Sequence, residues 1–313
     1  MVAVLHNLHP LLALLASRSP KPRGALPAEA LESMGRLEYF KPSEPLRMSP
    51  QDKKLSDEFF PGSLTGEEVF LKTMKTLDIL GFDEDNTLVA CSICPDEINN
   101  KKGDIADLFH GHFGRVFHLG GLGGIPFTGK TGFSAFSNHV RDDDGNCLVL
   151  MAPHIGLSTA KLLGMYSKTP NKDRTACGAA IGALNYCLSG KELPPFDSEE
   201  VFDYQEDYII RQIKKHQAEI VAPKSDNAIQ ATLAHHMWKI AKGKLDDIVN
   251  TNFGGPRSKL LVLTGVMINL PHPHGDLFQP LTFELHFKDG TMLNVFDETF
   301  GQYKPRPSSK LRP

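Results

Sequence analysis

Residues 87–97 read TLVACSICPDE, an apolar run that ends at Cys94-Pro95-Asp96-Glu97. A short apolar run bounded by turn-forming residues predicts a buried strand over Thr87–Ile93. Pro95 is favoured at the first position of a helix, and Asp96 and Glu97 suit the positive end of a helix dipole. The stretch therefore predicts a strand that passes directly into a helix, with Cys94 as the helix N-cap.

Other segments of the chain repeat this alternation of strands and helices. Apolar runs predict further strands at 115–121 and 146–152, and later at 259–270 and 281–296. Helical patterns are found at 65–80, 176–188, about 200–220 and about 227–250. The first of these opens with Thr65 and Glu68, the spacing of a capping box. Strands alternating with helices predict an α/β fold, with a mainly parallel central sheet flanked by helices.

The composition excludes several classes of protein. The chain has 313 residues with 34 basic and 37 acidic side chains, so it lacks the basic excess of a nucleic-acid-binding protein. Its five cysteines are too few, and odd in number, for a disulfide scaffold, which leaves free thiols or metal ligands. No run reaches the roughly 18–20 apolar residues of a membrane-spanning helix. We therefore expect no nucleic-acid partner and no membrane span.

The two ends of the chain differ from its middle. Residues 1–28 contain no acidic residue, and prolines are frequent through residue 55. This composition predicts a flexible leader over 1–55. Its first 28 residues resemble the acid-free leaders that direct proteins to organelles, with a disordered arm as the alternative. We expect a single α/β domain over 56–303 and a basic tail over 304–313.

Three residues suit a metal site at one edge of the predicted sheet. Cys94 follows the first strand, His154 follows the strand at 146–152, and Cys177 opens an Ala/Gly-rich helix. Sites in open α/β sheets form at the carboxyl ends of strands, and thiolates are favoured near helix N-termini. Two cysteines and one histidine would leave a fourth tetrahedral position for water, as in catalytic zinc sites. A buried, inert thiol is the alternative for each cysteine, and it is the interpretation we give Cys91, Cys147 and Cys187.

A second motif points to different chemistry. Residues 124–131, GIPFTGKT, match the P-loop pattern, in which backbone N–H groups and a lysine hold phosphates. Pro126 removes one of those N–H groups, and no downstream strand ends in an aspartate that could hold magnesium. A glycine-rich turn that allows close backbone approach is the stronger interpretation.

Four blocks of sequence, in order, resemble the limiting-CO2-inducible B protein family of algae, also called theta-class carbonic anhydrases. The blocks are SICPDEINN at 92–100, FHLGGLGGIPFTGKTGFSAFSNHV at 117–140, DDDGNCLVLMAPHIG at 142–156 and TACGAAIGAL at 175–184. The resemblance covers about residues 60–300 and includes GVMIN at 265–269. It implies a fold similar to beta-class carbonic anhydrases, a homodimer or hetero-oligomer with a paralogue, and Zn2+ held by Cys94, His154 and Cys177.

The resemblance also implies a catalytic dyad, and here the sequence departs from the beta class. That class has an Asp–Arg pair in the motif C-x-D-x-R; this chain keeps Asp96 but has Ile98 at the arginine position. Arg115 is the predicted partner of Asp96, with Arg174 as the second choice.

The activity implied is the reversible hydration of CO2 to bicarbonate, with zinc-bound hydroxide as the nucleophile. A catalytically silent zinc-binding subunit of an inorganic-carbon-concentrating complex is the alternative, and a P-loop nucleotide-binding protein is a third. The algal setting of the family and the acid-free leader predict a plastid location, with the cytoplasm as the alternative.

Overall fold

A computed structural model describes residues 48–140, 144–169, 172–193, 203–249, 253–271 and 275–301. In chain order its strands are β1 (Leu64–Thr65), β2 (Thr87–Ile93), β3 (Val116–His118), β4 (Asn146–Ala152), β5 (His154–Gly156), β6 (Met165–Thr169), β7 (Lys172–Thr175), β8 (Lys259–Asn269), β9 (Leu277–Phe287) and β10 (Met292–Asn294). Its α-helices are α1 (Pro50–Phe59), α2 (Gly66–Leu80), α3 (Ile105–Phe113), α4 (Gly129–Ser137), α5 (Gly178–Leu188), α6 (Tyr204–Ile220), α7 (Asp226–Val249) and α8 (Phe296–Phe300). Short 3₁₀ helices lie at Glu97–Asn99 and Leu122–Gly124.

The main sheet has the strand order β1-β9-β8-β4-β2-β3. Strands β3, β2, β4 and β8 are parallel to one another, and β5 continues β4 and pairs in parallel with β8. Strand β9 then returns antiparallel to β8. The predicted α/β fold with a mainly parallel sheet is confirmed, and an antiparallel hairpin extends the sheet on one side.

Helices form at the four predicted places, and α3 and α4 are two further helices that the sequence did not indicate. Thr65 caps α2 in a capping box, since its side chain accepts from Glu68 N while the Glu68 carboxylate accepts from the Thr65 backbone. A large cluster of buried apolar side chains joins β2 and β4 to helices α4–α7, with Phe133 and Phe136 fully buried. No helix in the described ranges is long and apolar enough to cross a membrane.

The N-cap prediction for Cys94 is wrong. The helix after β2 is a single 3₁₀ turn, Glu97–Asn99, and Asp96 is its N-cap, with its carboxylate accepting from Ile98 N at 3.3 Å. A carboxylate is among the best N-cap acceptors, whereas a thiol is a weak one, so the turn starts two residues later than predicted. Cys94 is thereby left free of a capping role.

The folded region also begins earlier than residue 56. Helix α1 starts at Pro50 with Ser49 as its N-cap, and its Asp52 is buried. The Asp52 carboxylate accepts from Lys161 Nζ at 2.6 Å, which ties the helix to the loop before β6. Ser49 at the N-cap, Pro50 at the first position and Asp52 in the first turn are a local signal of a helix start, which the prolines around this segment obscured. The remainder of the predicted leader and the predicted tail lie outside the described residues.

Candidate metal centre

Cys94, His154 and Cys177 form one buried cluster, with their ligand atoms all within 4.8 Å of one another. Cys94 directly follows β2, His154 is the first residue of β5, and Cys177 is the N-cap of α5. The three residues are 5%, 3% and 4% exposed. The structure thus brings together the three side chains that the sequence selected.

The register of the sheet brings the first two ligands together. Ile93 pairs with Ala152, so parallel strands β2 and β4 end at the same level. Cys94 directly follows β2, and His154 follows β4 after Pro153, so the two side chains lie next to each other on adjacent strands. This is the geometry that makes the carboxyl edge of a parallel sheet a natural site for ligands.

The third ligand arrives on the β6–β7 hairpin. Gly156 N donates to Ala176 O at 2.9 Å, and Ala176 N donates to Gly164 O at 2.9 Å. A Cβ on Gly156 would lie 2.7 Å from Met165 O, so only glycine allows this close approach. These contacts hold Ala176, and with it Cys177, against the segment that carries His154.

The distances fit a tetrahedral zinc ion. The two sulfur atoms are 3.8 Å apart. Two thiolates bound tetrahedrally at about 2.3 Å from a zinc ion are separated by about the same distance, roughly 3.8 Å. The Nε2 atom of His154 is buried and has no hydrogen-bond partner among the described residues. An orphaned imidazole nitrogen beside two thiols is the donor set that zinc prefers.

Hydrogen bonds assign which nitrogen of His154 is available. Asn99 Nδ2 donates to the Cys94 carbonyl at 3.1 Å, so Asn99 Oδ1 is the acceptor for Asn269 Nδ2, also at 3.1 Å. Asn269 Oδ1 is then left to accept from His154 Nδ1, at 2.8 Å. Because a backbone carbonyl can only accept, the chain of bonds runs one way. His154 therefore carries its proton on Nδ1 and directs the Nε2 lone pair at the sulfur atoms, which is the usual role of such a partner.

Asn269 is itself anchored by a buried ion pair. Its Nδ2 also donates to Asp276 Oδ2 at 2.6 Å, and Asp276 Oδ1 accepts from Lys101 Nζ at 2.7 Å and from Leu270 N at 2.9 Å. Burial raises the pKa of Asp276 and is opposed by Lys101. The neighbouring Asp104 has its pKa raised to about 7 by burial and by the charge of Asp276.

The surroundings shift the pKa values of the two thiols in opposite directions. The hydrogen bond with Cys94 lowers the pKa of Cys177, and the backbone N–H groups of Ala180 and Ala179 lower it further. The same hydrogen bond and burial raise the pKa of Cys94. Burial alone would lower the pKa of His154, but contact with Cys94 outweighs it and raises that pKa. The lower pKa thus belongs to the thiol at the N-terminus of α5.

Asp96 faces the cluster, and Arg115 does not. The Asp96 Oδ2 atom is 3.8 Å from His154 Nε2. Arg115 is exposed at the amino end of β3, level with Leu88, because Val116 pairs with Val89. At about 3.3 Å per residue, the six residues from Leu88 to Cys94 put it about 20 Å away along the sheet. The chain therefore does not bring the predicted dyad of Asp96 and Arg115 together.

The other arginine candidate is exposed, and the position that carries arginine in the beta class lies in an apolar environment. Arg174 is exposed on β7. Ile98, which stands where the beta class has arginine, is buried against Tyr166 and Ala176. An arginine side chain could not occupy that apolar environment without a partner for its charge.

The P-loop interpretation conflicts with the backbone of residues 124–131. The N–H groups of Gly124, Ile125, Phe127, Thr128 and Gly129 all donate to carbonyl groups of the chain itself. A phosphate would find none of these donors available, whereas a P-loop needs several. A Cβ on Gly124 would lie 2.6 Å from Ala152 O, so the glycines serve close packing against the segment before His154.

The sequence did not point to Asn269, Asp276, Lys101 or Asn99. Each is a common polar residue, and their spacing along the chain follows no motif. The available signal was Asn269 at the end of the long apolar strand β8, where a buried amide needs partners.

Comparisons with known proteins agree with this geometry. The family of Limiting CO2-inducible proteins B/C beta carbonic anhydrases matches residues 63–287. A crystal structure of PtLCIB4, a homolog of the limiting CO2-inducible protein LCIB, is 26% identical with a TM-score of 0.68, covering 77% of this chain and 98% of that one. A histidine-to-alanine mutant of the same homolog is also 26% identical, with a TM-score of 0.69, covering 78% of this chain and 97% of that one.

A structure of LCIB itself shares the fold, at 19% identity and a TM-score of 0.55, covering 76% of this chain and 96% of that one. A search of curated protein sequences finds no match. The family match spans the sheet from β1 to β9 and all three residues of the cluster. The chain therefore belongs to the limiting CO2-inducible B/C family, whose members are described as beta carbonic anhydrases.

Proposed function

We propose that this protein is a zinc-dependent carbonic anhydrase that catalyses the reversible hydration of CO2 to bicarbonate. The observation that carries the proposal is the buried cluster of Cys94, His154 and Cys177, in which two sulfur atoms 3.8 Å apart face an unpaired imidazole nitrogen. Family membership adds support, since the family is described as beta carbonic anhydrases.

Cys94 and Cys177 would hold the ion through their sulfur atoms and His154 through Nε2. Bound zinc would supply the Lewis acid that makes water nucleophilic near neutral pH. Three protein ligands leave one tetrahedral position for the reacting water. The hydrogen bond from Nδ1 to Asn269 keeps the imidazole of His154 in the ligating tautomer.

Asp96 would orient the reacting water. Its carboxylate lies 3.8 Å from His154 Nε2 and is 23% exposed, so it borders both the cluster and solvent. An ionised carboxylate only accepts hydrogen bonds, so it turns a hydrogen of the water toward itself and the oxygen lone pair toward CO2. Hydration forms a C–O bond, moves a C=O electron pair onto oxygen and releases a proton to solvent.

Stopped-flow CO2 hydration with zinc-loaded protein tests the proposal. Cys94→Ser is expected to abolish both hydration and binding at the cysteine site, because the hydroxyl is a poor zinc ligand. Cys187→Ser is the matched control, since Cys187 is equally buried but its thiol donates to Ile210 O, at 3.6 Å, and is not part of the cluster. Hydration that survives Cys94→Ser at the wild-type rate would rule out this site as the active centre.

A silent zinc-binding subunit is the second candidate, and one observation favours it. Among the described residues no arginine pairs with Asp96, while the beta-class dyad requires one. The silent subunit would bind zinc at Cys94 and Cys177 and show no hydration above background. Zinc content and hydration rate, measured on the same sample, separate the two functions.

We also propose assembly as a homodimer, or with a paralogue, in the plastid. A partner subunit could supply the cation that Asp96 lacks within its own chain. Light scattering on the zinc-loaded protein at several concentrations measures the state of assembly, and a monomer throughout would contradict the proposal.

A further inference from the structure

A second cluster of potential ligands lies on helices α6 and α7, away from the cysteine site. His216 and Glu219 are in the last turns of α6, and His236 comes from α7. The three-residue spacing puts His216 and Glu219 on one helix face. Their ligand atoms and that of His236 all lie within 4.8 Å of one another.

The distances in this cluster are those of ligands around a common ion. Glu219 Oε1 is 3.9 Å from His216 Nδ1, and Glu219 Oε2 is 3.5 Å from His236 Nε2. Both separations exceed a normal hydrogen bond, which for these atoms is about 2.7–3.2 Å. Nitrogen and oxygen ligands bound tetrahedrally at about 2.0–2.1 Å from zinc are about 3.3 Å apart, so a small contraction would complete the site.

The surroundings also suit a cation. The cluster sits at the carboxyl end of α6, where the helix dipole is negative, and it contains one carboxylate. His236 is 5% exposed and fixed by the core, while the Glu219 side chain is 67% exposed and the His216 side chain 41%. In the described part of the chain His236 Nδ1 has no hydrogen-bond partner that would fix the tautomer, and Nε2 is the nitrogen that faces Glu219.

We propose that His216, Glu219 and His236 form a second binding site for Zn2+, which links α6 to α7. Two imidazoles and one carboxylate select a borderline transition-metal ion over Mg2+ or Ca2+, which prefer oxygen. Because the ion binds only when both helices are in place, it stabilises the folded state in proportion to the logarithm of its concentration.

Zinc stoichiometry on the full chain tests this site, measured by mass spectrometry after equilibration with excess Zn2+ and removal of free metal. The wild type is expected to hold a second equivalent beyond the one at the cysteines. Glu219→Gln and His216→Asn are expected to lose that equivalent, and both positions are exposed enough to leave folding intact. Glu206→Gln is the matched control, since it removes an exposed carboxylate from the other end of the same helix.

Co2+ substitution makes the two sites distinguishable. Thiolate-to-metal charge-transfer absorption arises only from Cys94 and Cys177, so it is expected to persist in His216→Asn while total cobalt falls. The proposal would be overturned if both variants kept the second equivalent of zinc. Complete loss of zinc in Cys94→Ser would overturn it as well. Neither measurement depends on CO2 hydration, so the second site and the proposed activity are tested independently.

Discussion

Asn269 is the residue that orients the imidazole of His154 within the cluster. It joins the imidazole of His154 to Asn99 and, through Asp276, to Lys101. The carbonyl of Cys94 thereby fixes the tautomer of His154, its neighbour in the cluster. Loss of any member would leave buried polar atoms unpaired.

Asn269→Ala is expected to weaken zinc binding at the cysteine site about 10- to 100-fold, because the imidazole loses the acceptor that holds its tautomer. Competition against a chromophoric chelator measures the change. Asn138→Ala, at an exposed position after α4, is the control and should bind zinc like the wild type. Equal affinities in the two variants would show that Asn269 does not position His154.

The raised pKa of Asp104 predicts that the stability of the protein depends on pH. Its pKa is about 7 in the folded protein, well above the ordinary value of 3.8, so the folded state binds the proton more tightly than the unfolded state. Stability should therefore fall as the pH rises from about 4 to 7, with the loss complete above pH 7. Urea unfolding of Asp104→Asn should show a smaller loss across this range. Asp78→Asn, an exposed control, should keep the wild-type slope, and equal slopes in all three proteins would contradict the assignment.

At the scale of elements, the glycine-rich turn and the strand ends position the ligands together. Gly124 has a φ of +73°, and its carbonyl accepts from Ser92 Oγ at 2.9 Å, next to the end of β2. The same residue packs against the backbone of Ala152 and Pro153, just before His154.

Gly124→Ala is expected to destabilise the protein by roughly 1–3 kcal/mol, because the new methyl group meets the Ala152 carbonyl and the backbone is left-handed there. Gly182→Ala is the matched contrast. Gly182 is exposed within α5 with open space around its Cα, so alanine should stabilise by roughly 0.5–1 kcal/mol. Chemical denaturation measures both, and a neutral Gly124→Ala would refute the close-packing role.

Local patterns predicted the elements that depend on local physics. The strands Thr87–Ile93 and Asn146–Ala152 and the capped helix α2 have the predicted limits, because apolar runs and a capping box are short-range signals. The grouping of Cys94, His154 and Cys177 also followed from where the predicted strands and helices begin and end. The partners of Asp96 and His154 depend on side chains brought together by the sheet, so Arg115 was misplaced and Asn269 was overlooked.

At the scale of the whole molecule, α1 belongs to the folded unit. Asp52 and Ser56 are buried, and Lys161 pairs with Asp52 from more than a hundred residues away. A boundary at residue 56 would cut this helix in two and leave Lys161 without its partner.

A chain that starts at Met48 keeps all of α1 and serves as the reference. A chain that starts at Ser56 should melt several degrees lower, because it loses half of α1 together with Asp52, the buried partner of the 29% exposed Lys161 side chain. Differential scanning calorimetry at matched zinc concentration measures the difference. Identical melting of the two truncated chains would return the boundary to residue 56.

The three ligands of the cysteine site belong to separate parts of the chain, and Cys94 and Cys177 are 83 residues apart. All three precede β8, the strand that carries Asn269, which is the partner of His154 Nδ1. During synthesis the three side chains are therefore present before the residue that orients the imidazole, and the surroundings of His154 are complete only once β8 has joined the sheet.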